Sequence, residues 1–235
     1  TIDAAGVGGK LTISSGDGTG TSSGDLVLQS ADSGAIGNSG VVSLSTGDAT
    51  GGDSGALKIG TGASTGGRAG DISLTVGSTN TLVGGDVLIQ AGQSTATTGG
   101  VGGKVTISSG VGTASTSGAL LLQTAAGGTT GTSGVVVLST GTTTSGDSGA
   151  IFIGSGKAKS GRGGNVYLSV GSGDKAAGGS LVLTGGETSD ANGVGGTVSI
   201  VSGSNSAGGS SGELLLSTAN AASSCSSPTA MSMFW

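Results

Sequence analysis

Gly103-Lys104-Val105-Thr106-Ile107-Ser108-Ser109-Gly110 places an alternating aliphatic pair between two glycines, and most of the chain restates it. The same phrase stands at Gly9-Lys10-Leu11-Thr12-Ile13-Ser14-Ser15-Gly16. It recurs with changes at Gly24-Asp25-Leu26-Val27-Leu28-Gln29 and, near the other end, at Gly212-Glu213-Leu214-Leu215-Leu216-Ser217. Self-similarity at a fixed interval marks a repeat architecture.

The organising glycines are Gly9, Gly24, Gly40, Gly55, Gly70, Gly85, Gly103, Gly118, Gly134, Gly149, Gly164, Gly179, Gly196 and Gly212. Most steps are 15 or 16 residues, and those from Gly85 and Gly179 are 18 and 17. Gly9 to Gly103, Gly24 to Gly118 and Gly118 to Gly212 are each 94 residues apart, so six short units form one long block. Two and four residues after every glycine stands Leu, Ile or Val, from Leu11 and Ile13 to Leu214 and Leu216. Side chains two apart on an extended backbone share a face, so these two columns predict strands facing a core. Nine residues after the glycines the side chains are small, from Gly18, Ser33 and Ala49 onward, with Asn205 the exception.

Together these columns predict an all-β fold, a parallel β-solenoid of about 14 coils of 15–16 residues, aliphatic on one wall and small on the other. The alternative is a 31-residue coil with two aliphatic strands. Strands stacked about 4.8 Å apart would build a rod of about 65 Å, each six-unit block advancing it about 28 Å. The array is expected over residues 1–218, and 219–235 as a tail or cap. Thr1–Gly9 reads like Thr95–Gly103 and Thr188–Gly196, so the chain is expected to start inside a repeat of a longer polypeptide.

Composition narrows the function classes. Of 235 residues 55 are glycine and 9% are charged, against about 7% and 25% in ordinary domains. A net charge of -5 without a basic cluster argues against nucleic acid. No apolar run approaches the ~20 residues of a membrane helix. With no histidine and no basic partner for the lone Cys225, no catalytic constellation is legible and no enzyme is expected. No cofactor is called for. Asp17, Asp32 and Asp48 fall eight residues after their glycines, but Val111, Ala126 and Thr142 replace them 94 residues on; a solvated column is the better reading than a calcium site.

Between the two aliphatic positions lies an outward one. In the second block it holds Leu121, Val137, Phe152, Tyr167 and Val182. On stacked coils these form an apolar ridge about 20 Å long, the candidate lateral contact with another chain. The tail supplies Cys225, Met231, Met233, Phe234 and Trp235 as candidate assembly residues.

With GGDVLIQAG, SGVVVLSTG, SGAIFIGSG and GGNVYLSVGSG in view, the repeats resemble glycine- and serine-rich β-solenoid proteins predicted from algae such as diatoms and brown algae. That resemblance implies a secreted component of a cell covering or flagellar hair and carries no catalytic residues. The expected function is therefore an extracellular structural protein forming a fibre or surface layer from stacked coils, its partners being itself or other structural chains. O-linked sugars on turn Ser and Thr are a further expectation. Broken threonine ranks at Thr19, Thr50, Thr65 and Thr95 leave an ice-binding protein, or an adhesin-like stalk, as the alternatives.

Overall fold

The computed structural model describes residues 8–175 and 177–219. The chain divides into two units, Thr1–Leu120 and Leu121–Trp235, with the boundary inside a single aliphatic segment. Among the described residues neither unit contains a helix or a strand. The predicted all-β solenoid is thus overturned, in both its 15–16-residue and its 31-residue forms.

The reason lies in where each glycine lands. A coil would bring Gly24 back beside Gly9, one turn above it. Gly24 instead sits against Ser15: a methyl on it would lie 3.7 Å from the Ser15 Cβ. The pattern holds at all thirteen glycines from Gly24 to Gly212, each meeting the residue six or seven after the preceding glycine. From a glycine to the sixth residue after it, an extended segment covers about 20 Å. Each loop closes on itself at the far end of that segment and does not travel back those 20 Å. The next segment therefore starts where the last one ended, and no ladder forms between segments of the same unit. Loops of this size with adjoining ends are Ω-loops.

Within Thr1–Leu120 two forms of closure cover six of the seven necks; the seventh, Gly40, lies against Ser30, 3.2 Å from a Cβ on the glycine to the Ser30 Cβ, with no backbone hydrogen bond. Gly24, Gly103 and Gly118 donate backbone hydrogen bonds to Gly16, Gly92 and Gly110 at 3.0, 2.8 and 3.0 Å. In those necks the sixth residue is Ser15, Ala91 or Ser109, small enough for the two backbones to meet. Where it is β-branched, the branch intervenes: Thr46 and Thr61 set a methyl carbon 3.4 and 3.6 Å from where a Cβ on Gly55 and Gly70 would lie, and Val76 approaches Gly85 to 2.9 Å. Leu121–Trp235 repeats both forms, apart from Gly164, whose carbonyl accepts from the Ser155 hydroxyl. Gly196 and Gly212 bond Gly186 and Gly203, both at 2.8 Å, whereas Thr124, Thr140 and Val170 press methyls on Gly134, Gly149 and Gly179. A side chain on the glycine would collide in several of these necks, which explains the glycine column without invoking coil corners.

Step length varies without moving the neck. The 18-residue step from Gly85 to Gly103 still closes on Ala91 and Gly92, and the 17-residue step from Gly179 to Gly196 still closes on Gly186. Extra residues are absorbed in the loop, as the shallow dependence of closure entropy on length permits.

Burial follows the necks as well. No described residue is buried. The half-buried ones are Ser15, Ser30, Ala91 and Ser202, each six after its glycine, and Gly18 and Gly112 at loop heads. The aliphatic columns expected to form a core are open, from 46% exposure at Ile151 to 83% at Leu11. The surface of 23354 Å² compares with about 9000 Å² for a close-packed domain of this size.

The neck makes a direct prediction. In a chain carrying Cys225→Ser, the pair Ser15→Cys and Gly24→Cys has the Cβ separation of a disulfide and oxidises to an intramolecular bridge, seen as two alkylation-resistant thiols by mass spectrometry. Gly9→Cys with Gly24→Cys, the stacked neighbours of a solenoid, stays reduced; the reverse outcome would reinstate the coil.

Candidate functional site

Each unit has two parts that the neck separates: a closed loop and an extended aliphatic segment. Their chemistries differ, and the loop is the more determined of the two.

Loop heads are built on the residue nine after each glycine, the small column. At six of its positions the side chain makes a turn bond, while Ser33, Ala49 and Ala158 make none. The Ser64 hydroxyl accepts from the Gly67 amide at 3.0 Å, Thr79 from Thr81 at 3.4 Å, Ser94 from Ala96 at 3.4 Å and Thr188 from Asp190 at 3.2 Å. Thr143 uses its hydroxyl as donor, to the Gly146 carbonyl at 2.8 Å. Such short side chains replace a backbone turn bond with one of their own. Asn205, the exception by size, obeys the rule by function, its Oδ1 accepting from the Ala207 amide at 2.8 Å. Where glycine holds the position the backbone doubles back on itself: a Cβ on Gly18 or Gly112 would run into the carbonyl oxygens of Thr21 and Ser22 or of Ser115 and Thr116. These two loops are 94 residues apart and share one shape.

The extended segments carry no such satisfaction. Among the described residues no backbone hydrogen bond is made between the glycine and the neck, so the amides and carbonyls of residues such as Val105, Thr106 and Ile107 are open to solvent or to another strand. Alternation in exposure is clear in some segments and lost in others: Ile151, Phe152 and Ile153 are 46, 94 and 73% exposed, whereas Leu26, Val27 and Leu28 are 64, 71 and 72%. Tyr167 is 84% exposed, and its hydroxyl accepts from Asn165 Nδ2 at 2.7 Å.

The five ridge candidates, Leu121, Val137, Phe152, Tyr167 and Val182, all lie on exposed extended segments of Leu121–Trp235. A continuous ridge required stacked coils, and without strands the 4.8 Å stagger that joined them is absent. Cys225, Met231, Met233, Phe234 and Trp235 lie outside the described residues. Asp17, Asp32 and Asp48 occupy three different closed loops, and no group of three or more acidic, cysteine or histidine side chains comes together among the described residues. No helix there is long and apolar enough to cross a membrane.

Sequence reasoning missed the neck column. Its signal was present, since the residues six after the glycines run Ser15, Ser30, Thr46, Thr61, Val76, Ala91 and onward, all small or β-branched. Alternation alone does not separate them from strand residues.

No family model, curated protein or solved structure matches the chain. The resemblance to algal β-solenoid repeat proteins is set aside, because it carried a solenoid and the described residues contain no β-structure. With it goes the stacked-coil fibre or surface layer, and with the coil go the flat ice-binding face and the rigid adhesin-like stalk.

The turn assignment is testable at Asn205. Asn205→Ala removes the acceptor for the Ala207 amide, worth about 1 kcal/mol, and its hydrogen exchange by NMR is expected to speed up several-fold. Asn205→Ser, which keeps a short acceptor, is expected to exchange close to the parent rate; equal acceleration in both would remove the turn bond from the account.

Proposed function

We propose that this chain is a non-enzymatic association module, in which the extended aliphatic segments pair with those of other copies while the closed loops space them. The observation that carries this reading is a division within the unit: among the described residues ten of the thirteen loops make at least one internal hydrogen bond, whereas no segment makes a backbone bond, and its aliphatic pair is left open. An unpaired extended backbone is a template for adding a strand, and the aliphatic alternation gives the added strand a face to bury. Each Leu, Ile or Val covered from half exposure contributes about 1 kcal/mol. One unit is therefore weak and a run of units is strong, because later segments bind at the effective concentration set by the first.

Glycine and serine at this density keep single segments soluble, and the charged residues interrupt long apolar runs. Pairing between chains, and not coiling within one chain, is the source of any order in this reading. An extracellular setting accords with loops whose exposed Ser and Thr are open to O-linked sugars.

Association is expected to rise with concentration together with a β-sheet amide I band in infrared spectra, both absent from the dilute monomer. Proline removes the ladder donor and is excluded from paired strands. Placing it together at Thr106, Leu121, Val137, Phe152, Tyr167 and Val182 is expected to weaken association at least about tenfold while the Ser155–Gly164 neck persists. A chain that stays monomeric without β signal at every concentration, or a proline variant that associates unchanged, would overturn the proposal.

A further inference from the structure

One loop differs from the others in charge. Ser155-Gly156-Lys157-Ala158-Lys159-Ser160-Gly161-Arg162-Gly163-Gly164 holds three of the eight basic residues and no acid. The neck gathers them: the Ser155 hydroxyl donates to the Gly164 carbonyl at 2.7 Å, and a methyl on Gly164 would lie 3.4 Å from the Ser155 Cβ. At the loop tip Ser160 takes φ 62, the single non-glycine residue at positive φ among those described. This turns the chain between Lys159 and Arg162. Three residues outside the neck on either side stand Phe152 and Tyr167, both exposed.

The opposite charge is concentrated at the other end of the array. Between Leu11 and Leu57 the chain has Asp17, Asp25, Asp32, Asp48 and Asp53 and no Lys or Arg. Four of these stand in three successive closed loops: Asp17 in 15–24, Asp32 in 30–40, and Asp48 and Asp53 in 46–55; all are exposed. The polarity is not part of the repeat. Ninety-four residues after Asp17, Asp32 and Asp48 come Val111, Ala126 and Thr142, and the first-block counterpart of the basic loop, Thr61–Gly70, has Arg68 alone. The first block carries three basic and seven acidic residues, the second five and four.

Resting on the association reading above, we propose that the basic loop 155–164 of one copy docks on the acidic loops 15–55 of a second copy, so that charge selects which units of two chains meet. The aliphatic columns are nearly the same in every unit and cannot by themselves distinguish one register from another. Exposed charge pairs add little affinity, but they decide orientation and suppress like-charged juxtapositions. First block against first block sets aspartates against aspartates, whereas second against first sets cations against them. The result is a staggered, head-to-tail contact, which stays open to a third copy.

The experiment is sedimentation velocity on the full chain at about 20 mM and about 500 mM salt, between which the Debye length falls from about 20 Å to about 4 Å. Self-association is expected to weaken about tenfold at high salt. A Lys157→Glu, Lys159→Glu, Arg162→Glu variant is expected to associate weakly with itself and to associate better, not worse, as salt rises. A second variant, Asp17→Lys, Asp32→Lys, Asp48→Lys, is expected to behave likewise alone, and mixing the two is expected to restore association. Association unaffected by salt and charge reversal overturns this inference and leaves the pairing reading standing. Salt-dependent compaction of a monomer, or a parent chain that binds an added anionic polysaccharide in preference to itself, also overturns it. Absence of association at any salt overturns both.

Discussion

The contact on which everything else depends is the approach of each organising glycine to the residue six or seven after the preceding one. It is short range, closed within one loop, and made without help from neighbouring units. Because the loop spends its length returning to its own start, the chain never returns to the start of the preceding segment. That single choice of closure point converts a sequence with solenoid periodicity into a succession of extended segments and self-contained loops. Side-chain size sets how the neck closes: Ser, Ala or Gly admits a backbone hydrogen bond, while Thr and Val set a methyl between the chains. Gly164 shows a third form, with the Ser155 hydroxyl supplying the bond.

Local closure has a thermodynamic consequence. A hydrogen bond at a solvent-exposed neck contributes about 1 kcal/mol, and no shared core adds to it. Each loop is then stable or unstable on its own, with little cooperativity along the chain, unlike a stacked array in which every repeat is supported by two neighbours. The apolar free energy that a solenoid would have gained by stacking is left available on the surface, at Val105 and Ile107 as at Leu214 and Leu216. It can be recovered only by burial against something else. This is the physical basis for reading the molecule as a pairing chain, and its charge polarity as the element that directs the pairing.

How much was legible before the structure depends on which residues are asked about. The glycine positions and the 94-residue block were readable because they are properties of the sequence itself. The loop heads were half legible: the smallness of the column was seen, but it was assigned to packing. Its hydrogen bonds at Ser64, Ser94 and Asn205 show that turn formation uses part of the column. The neck was not read at all, since Thr46 and Val76 look like strand residues to any pattern of alternation. The ridge from Leu121 to Val182 had its continuity from the coil, and its five side chains are exposed as are all the large apolar side chains described.

By itself the sequence determined the unit: a glycine, an aliphatic pair two residues apart, a small or branched residue at the sixth place and, Asn205 apart, a small residue at the ninth. These are local demands, met by the residues' own conformational preferences and by hydrogen bonds across two or three positions. Only the tertiary structure decided where the loop closes, and with it whether the aliphatic faces meet one another. Periodicity is the same for a segment that stacks on its neighbour and for one that follows it end to end. The difference is a distance of about 20 Å between two possible partners for one glycine, and no composition or spacing records which partner is taken.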